Sequence, residues 1–290
     1  MDLLSARERL HNLGPGIIAA TSFGICDVLG KVVFSAGADV LTLALFRGIV
    51  GLAIMFFWLR VGPAPVSFGP RARWIALALG VLFAGIIFGI FKAIQLIQVP
   101  IAILTYFVYP LLTGISGALF GIERLGLRGT IAAIVAFLGL ALMIGANPQN
   151  LALSGIGFAL GAALCRTAVL LIARMELSHV DPRLTTWYSL VSSTAIFAIA
   201  AVVTLNWQPP QTAVGWAAII IVAIGTAVAT LTLFISTNRI GPFRSALIMN
   251  LEPLLATILS APLLGEVITP IQALGGAIML AALVAFQSRR

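Results

Sequence analysis

Residues 103–123 read ILTYFVYPLLTGISGALFGIE, and residues 246–266 read ALIMNLEPLLATILSAPLLGE. Displaced by 143 positions, the two align without a gap: Tyr109-Pro110-Leu111-Leu112 falls on Glu252-Pro253-Leu254-Leu255, and Glu123 falls on Glu266. Each stretch is long and apolar enough to cross a bilayer, and each carries a proline where a helix would lose a backbone hydrogen bond. Interrupted apolar segments at corresponding positions of two halves point to the working site of a transporter.

The composition agrees with a membrane setting. Hydrophobic residues make up 61% of the 290 and charged residues 9%, and the mean hydropathy is +1.13. A soluble domain carries about 25% charged residues, so this chain reads as an all-α polytopic membrane protein. The net charge of +8 does not mark a nucleic-acid binder. Its basic residues punctuate apolar runs instead of gathering on one solvated face. Cys26 and Cys165 lie inside apolar runs, without the spacing of a disulfide framework or metal site. His11 and His179 fall outside the runs. Catalysis by a buried histidine therefore has no candidate, and no cofactor or metal is expected. The N-terminal stretch loosely imitates a signal peptide, but Asp27 and Lys31 sit inside its apolar run. It is read as a retained helix.

Breaking the chain at charges, prolines and turn residues gives ten spans, near 14–36, 40–60, 72–95, 99–121, 127–146, 154–176, 183–205, 214–237, 242–264 and 270–287. With a cytoplasmic N-terminus, one side collects Arg7, Arg9, Arg60, Arg71, Arg73, Arg124, Arg128, Arg174, Arg183, Arg239, Arg244, Arg289 and Arg290, which is 13 of the 17 basic residues. The opposite loops hold none, as the positive-inside rule requires of the outer face. One span added or missed in the middle would destroy that pattern. Both termini are therefore expected in the cytoplasm.

The offset of 143 extends beyond the opening pair, matching Lys31 with Arg174, Gly14 with Gly157, and Gln95 with Asn238. Five spans per copy is an odd number, so the second copy enters the bilayer from the other face. The charges agree. The loop carrying Arg60, Arg71 and Arg73 is basic, whereas its mate, the NWQPPQ stretch after the seventh span, has no charge. Two inverted five-helix repeats, 1–148 and 149–290, are the expected organisation.

Several intramembrane residues can carry chemistry. Pro110 and Pro253 would each free a carbonyl, of Tyr106 and Met249 respectively. Such breaks are either packing kinks or belong at a water-lined cavity. Glu252 lies near the middle of its span, where a carboxylate needs an interior partner. Its mate is Tyr109, with Tyr106 one turn earlier. Asp27 and Lys31, four apart, are an ion pair within one helix or part of a site. Arg47 and Arg166 lack a partner in their own helices, and either could fork a substrate carboxylate or meet Asp27 or Glu252 across the bundle. Phe88, Phe91, Gln95 and Asn238 either line the route or pack ordinarily. Glu123 and Glu266 read as carboxylates placed at helix starts. The pairs Gly85/Gly89, Gly117/Gly121 and Gly157/Gly161 are weak signals of close helix packing.

Ten spans in two inverted copies, each with a proline-bearing fourth helix, a Gly121-Ile122-Glu123 or Gly265-Glu266 turn and a glycine-bearing last helix, resemble the EamA branch of the drug/metabolite transporter superfamily. Within it the chain is most similar to bacterial aromatic amino-acid exporters of the YddG type. The resemblance implies efflux of small metabolites across the bacterial inner membrane through a central cavity built from both repeats. Tyr106, Tyr109 and Glu252 are the first expected contacts and Asp27, Arg47 and Arg166 the second. A broad multidrug exporter is the alternative within the class, and a lipid-modifying enzyme is the alternative outside it. The oligomeric state is left open by the sequence.

Overall fold

The computed structural model describes residues 3–63, 68–123, 126–145, 152–205, 207–265 and 267–288, with side chains from residue 11 to residue 286. Arg124, Glu266, the 148/149 repeat boundary and the side chains of Arg7, Arg9, Arg289 and Arg290 lie outside that description.

The described residues form helices throughout, joined by short turns: α1 Leu3–Ser35, α2 Val40–Val61, α3 Pro70–Leu96, α4 Val99–Tyr106, α5 Tyr109–Leu119, α6 Leu127–Ile144, α7 Leu153–Glu176, α8 Pro182–Thr204, α9 Ala213–Ile240, α10 Pro242–Ile248, α11 Leu251–Leu264 and α12 Pro270–Ser288. Counting α4 with α5 and α10 with α11, nine of these are long and apolar enough to cross a membrane; α12, apolar over Pro270–Phe286, is the tenth. Large apolar side chains such as Ile131, Leu138 and Trp74 face outward. That arrangement is stable against lipid and costly against water.

Helix ends lie close to the sequence-based boundaries except at α1, which begins at Leu3 rather than near residue 14. The polar N-terminal turns continue the helix beyond the apolar run that defined the expected span. Side chains cap several starts. Thr42 N–H donates to Asp39 Oδ1 at 2.8 Å on α2, and Thr269 with Gln272 forms a reciprocal capping box on α12.

The packing follows the repeat. The offset carries α1 onto α7, α2 onto α8, α3 onto α9, α4–α5 onto α10–α11, and α6 onto α12. The two most extensive interfaces, α1 with α9 and α3 with α7, exchange under it, whereas α2–α8 and α6–α12 map onto themselves. This is the pattern of two inverted five-helix units wrapped about a common axis. At the α6–α12 seam the backbones touch. A Cβ on Gly139 would stand 2.7 Å from Met279 N, and one on Gly275 would collide with Met143 N. Among the pairs singled out in the sequence, Gly89 does meet the α7 backbone, but Gly157 and Gly161 meet nothing within 4 Å.

The two ends of the bundle differ in charge. One end is tied by an Arg71–Glu176 ion pair at 2.8 Å, by Arg239 Nη1 donating to His11 O at 2.8 Å, and by Arg174 donating to Asn238 O. There Asp181 caps α8 and holds Arg183. Burial pushes the Asp181 carboxyl up, but the Arg183 hydrogen bonds outweigh it and hold the group below the usual carboxylate range. Among the described loop residues of the other end, Asp39 is the single charged side chain, and the ties there are neutral backbone bonds such as Gln211 N–H to Ala36 O at 2.8 Å.

Glu123 does cap a helix, but not the neighbouring one. Phe243 N–H donates to Glu123 Oε2 at 2.9 Å, so the first repeat's turn caps α10 of the second. The left-handed Gly241, φ +92°, makes room: a Cβ there would collide with the carboxylate. Burial raises the Glu123 carboxyl above its usual range, although the Phe243 N–H and the Arg174 and Arg244 charges oppose the rise.

Candidate functional site

Both proline-bearing spans break into two helices. The chain turns at Phe107–Val108 between α4 and α5, and at Met249–Asn250 between α10 and α11. Each proline then lies in the first turn of the following helix, where a missing N–H costs little. The freed Met249 carbonyl is satisfied locally by Glu252 N–H at 3.0 Å.

Between the two breaks lies a cavity of about 480 Å³ lined by both repeats. Its wall begins near mid-depth at Phe23, Tyr106, Arg166 and Glu252 and runs to Phe34, Ile94 and Ile144 near the charge-poor end. On the charge-rich side the helices close beneath it. Gly16 of α1 sits where an added Cβ would stand 2.9 Å from Ser236 Oγ, Ser236 and Ser245 hydroxyls share a hydrogen bond at 2.8 Å, and Phe68 stacks on Tyr188 at 5.2 Å.

Five charged residues line the cavity: Asp27, Lys31, Arg47, Arg166 and Glu252. Asp27 and Glu252 come together because α1 and α11 touch at Gly24, where a Cβ would be only 2.9 Å from the Glu252 carbonyl oxygen. Asp27 lies one turn further along α1 and lines the same cavity as Glu252, Arg47 and Lys31. Arg166 faces Glu252 together with Tyr106 and Tyr109. The two arginines that sequence reasoning could not pair thus have separate surroundings. Arg47 belongs with Asp27, and Arg166 with Glu252 and the tyrosines.

Arg166 is buried, 4% exposed, and its guanidinium carbon lies 5.4 Å from the Phe23 ring centre and 5.7 Å from that of Tyr109. Phe23 is the repeat mate of Arg166, so related positions of α1 and α7 meet at the cavity floor. Tyr109 itself, 1% exposed, stands behind the wall. Its carbonyl accepts from Thr113 Oγ1 at 2.7 Å and Thr167 Oγ1 at 3.3 Å.

The other expected contacts divide. Phe91 lines the cavity and Pro253 is in its wall, whereas Pro110 is buried away from it. Phe88 points to the lipid side, 60% exposed and edge-on to Phe158. Gln95 is exposed and accepts from Lys92 Nζ at 3.3 Å. Asn238 lies at the charge-rich end near Arg174. For these three the structure corrects the expected placement along the wall: the inversion carries the mates Gln95 and Asn238 toward opposite ends of the bundle, and the rotation of α3 turns Phe88 to the lipid side. Sequence reasoning missed the hydroxyl side of the cavity. Ser189, Ser193, Thr194, Thr226, Thr230, Thr257 and Ser260 all come from the second repeat, and among the described residues the first contributes no serine or threonine. The signal was visible as Ser and Thr recurring on α8 and α9, but it required knowing which faces turn inward. Among the described residues no group of His, Cys, Asp and Glu has the makings of a metal site.

Comparison with known proteins agrees with this architecture. A solved structure, described only as the crystal structure of a protein, superposes with a TM-score of 0.79 at 19% identity over 94% of this chain and 97% of its own. The threonine/homoserine exporter RhtA of Escherichia coli strain K12 is 27% identical over 265 residues, 88% of this chain and 83% of RhtA. The transporter sll1319 of Synechocystis is 27% identical over 210 residues, a match spanning 70% of this chain and 63% of that protein's length. The model of the EamA-like transporter family matches twice in tandem, over residues 15–145 and 153–286, and the chain belongs to that family.

Proposed function

We propose that the chain exports α-amino acids across the bacterial inner membrane, by alternating access around the cavity between its repeats, with both termini in the cytoplasm. The observation that carries this reading is the cavity floor, where Asp27 and Glu252 stand among Lys31, Arg47 and Arg166. Opposite charges lining one cavity suit a zwitterion, and 480 Å³ suits a small metabolite. A multidrug cavity for lipophilic cations would gain nothing from three basic groups. Orientation follows from the arginine-rich end, which by the positive-inside rule is cytoplasmic; the cavity then faces outward in this conformation. The likeness to RhtA, an exporter of threonine and homoserine by name, supports the substrate class.

The wall above the floor supports two side-chain preferences. Phe34, Phe83, Phe91 and the isoleucines of α3 offer an apolar face for aromatic side chains. The hydroxyl row from the second repeat favours short hydroxylated ones. Purified protein in liposomes loaded with labelled phenylalanine, threonine or a lipophilic cation separates these. Amino-acid movement above protein-free controls is expected. Movement of the cation alone would overturn the reading.

A further inference from the structure

Resting on the exporter reading, we infer that Arg166, positioned from behind by Tyr109, forms a seat for a substrate carboxylate, which fixes the polarity of the bound zwitterion. Arg166 lines the cavity but has no route to bulk water of its own, being 4% exposed. The Phe23 and Tyr109 rings stand beside its guanidinium, their centres 5.4 and 5.7 Å from the guanidinium carbon. A guanidinium carries an in-plane edge of N–H donors, the edge that receives a carboxylate as a fork. On that edge Nε is buried without a hydrogen-bond partner among the described residues. Tyr109, 1% exposed and off the cavity wall, backs the guanidinium with its ring and its buried hydroxyl.

A buried donor left unsatisfied on a cavity-lining arginine is costly in a folded protein unless something visits that guanidinium. The visitor must be an acceptor, anionic to match Arg166, and planar to use the fork. A carboxylate meets all three requirements. Across the floor, Glu252 and Asp27 supply the opposite pole for an ammonium group. The side chain of an α-amino acid so held extends toward the charge-poor end, between the α3 apolar face and the hydroxyl row. A purely structural Arg166 would balance Glu252 without distinguishing ligands.

The test compares acids with their amides. Binding of phenylalanine and phenylalaninamide, and of threonine and threoninamide, is measured by calorimetry on the detergent-purified full chain, alongside liposome transport of the same four compounds. The wild type is expected to prefer each acid by about tenfold or more, as loss of one charge-assisted fork implies. Arg166→Lys keeps the charge but not the fork and should bring the preference close to unity. Tyr109→Phe, which keeps the packing should the arginine variant fold poorly, should lower it about threefold. An acid preference unchanged in both variants, or absent from the wild type, overturns the seat. Transport without acid preference would leave the exporter reading standing and remove the seat. Acid-selective binding without transport would do the reverse. Neither binding nor transport of any of the four compounds would remove both.

Discussion

The two proline-broken crossings are built on one plan and differ in what they do. On one side α1 meets α11 at Gly24, and the Glu252 carbonyl lies against the glycine. On the other, α7 meets α5 at Thr167, and the Tyr109 carbonyl accepts the threonine hydroxyl. Gly24 and Thr167 are repeat mates, as are Glu252 and Tyr109. The first crossing borders the cavity and presents a carboxylate to it. The second is sealed, with Thr113 adding another bond to the same carbonyl. Equivalent backbone junctions can therefore be a binding surface or a closed joint, depending on whether the side chains there are a carboxylate beside glycine or a tyrosine clamped by hydroxyls. If the repeats exchange conformations, the Tyr109 joint is the one that loosens when the cavity turns to the arginine-rich end.

Gly24→Ala should break the comparison most severely. The added methyl cannot avoid the Glu252 carbonyl, overpacking of this kind costs about 1–3 kcal/mol, and both the melting temperature and transport should drop. A variant with unchanged transport would show that the α1–α11 contact is not tight in the working protein. Glu252→Gln comes next. Removing the charge while keeping the shape should slow transport about tenfold, equivalent to about 1.4 kcal/mol, with little change in folded yield. Full activity across pH would reduce Glu252 to a structural role.

Thr167→Val tests the sealed joint. It deletes one hydroxyl bond and should cost about 1 kcal/mol of stability. Cysteine-accessibility labelling at the charge-rich end should also rise as the joint opens more often, and labelling equal to wild type would argue against a latch there. Glu123→Gln should have the smallest effect. Burial raises the Glu123 carboxyl above its ordinary value near 4.5, so the folded chain holds that proton more tightly than the unfolded chain. Its contribution to stability is then present below 4.5 and declines as pH rises through the interval just above it. The glutamine variant should lose this dependence while keeping most of the cap on α10, measured as apparent melting temperature against pH.

How far the site was legible varies by residue. Glu252 and Pro253 stood out because a charge and a helix breaker are both expensive in an apolar span. Arg166 stood out for the same reason, but not its pairing, which depends on α7 facing Phe23 of α1 across the pseudo-symmetry axis. Phe88 and Phe91 differ by three positions and both read as candidates; the helix rotation puts one in the wall and the other toward lipid. The capping role of Glu123 was legible, but its target 120 residues away was not.

The sequence by itself determined the number of spans, the repeat and its inversion, because each rests on a one-dimensional quantity: hydropathy over a bilayer's length, a constant offset, and arginine counts in alternating loops. Only the tertiary structure decided which face of each helix turns inward, which end of the bundle is closed, and which of two equivalent crossings holds the cavity. Those follow from close approaches such as Gly24 to Glu252 and Gly139 to Gly275, where a single absent side chain sets the distance between helices.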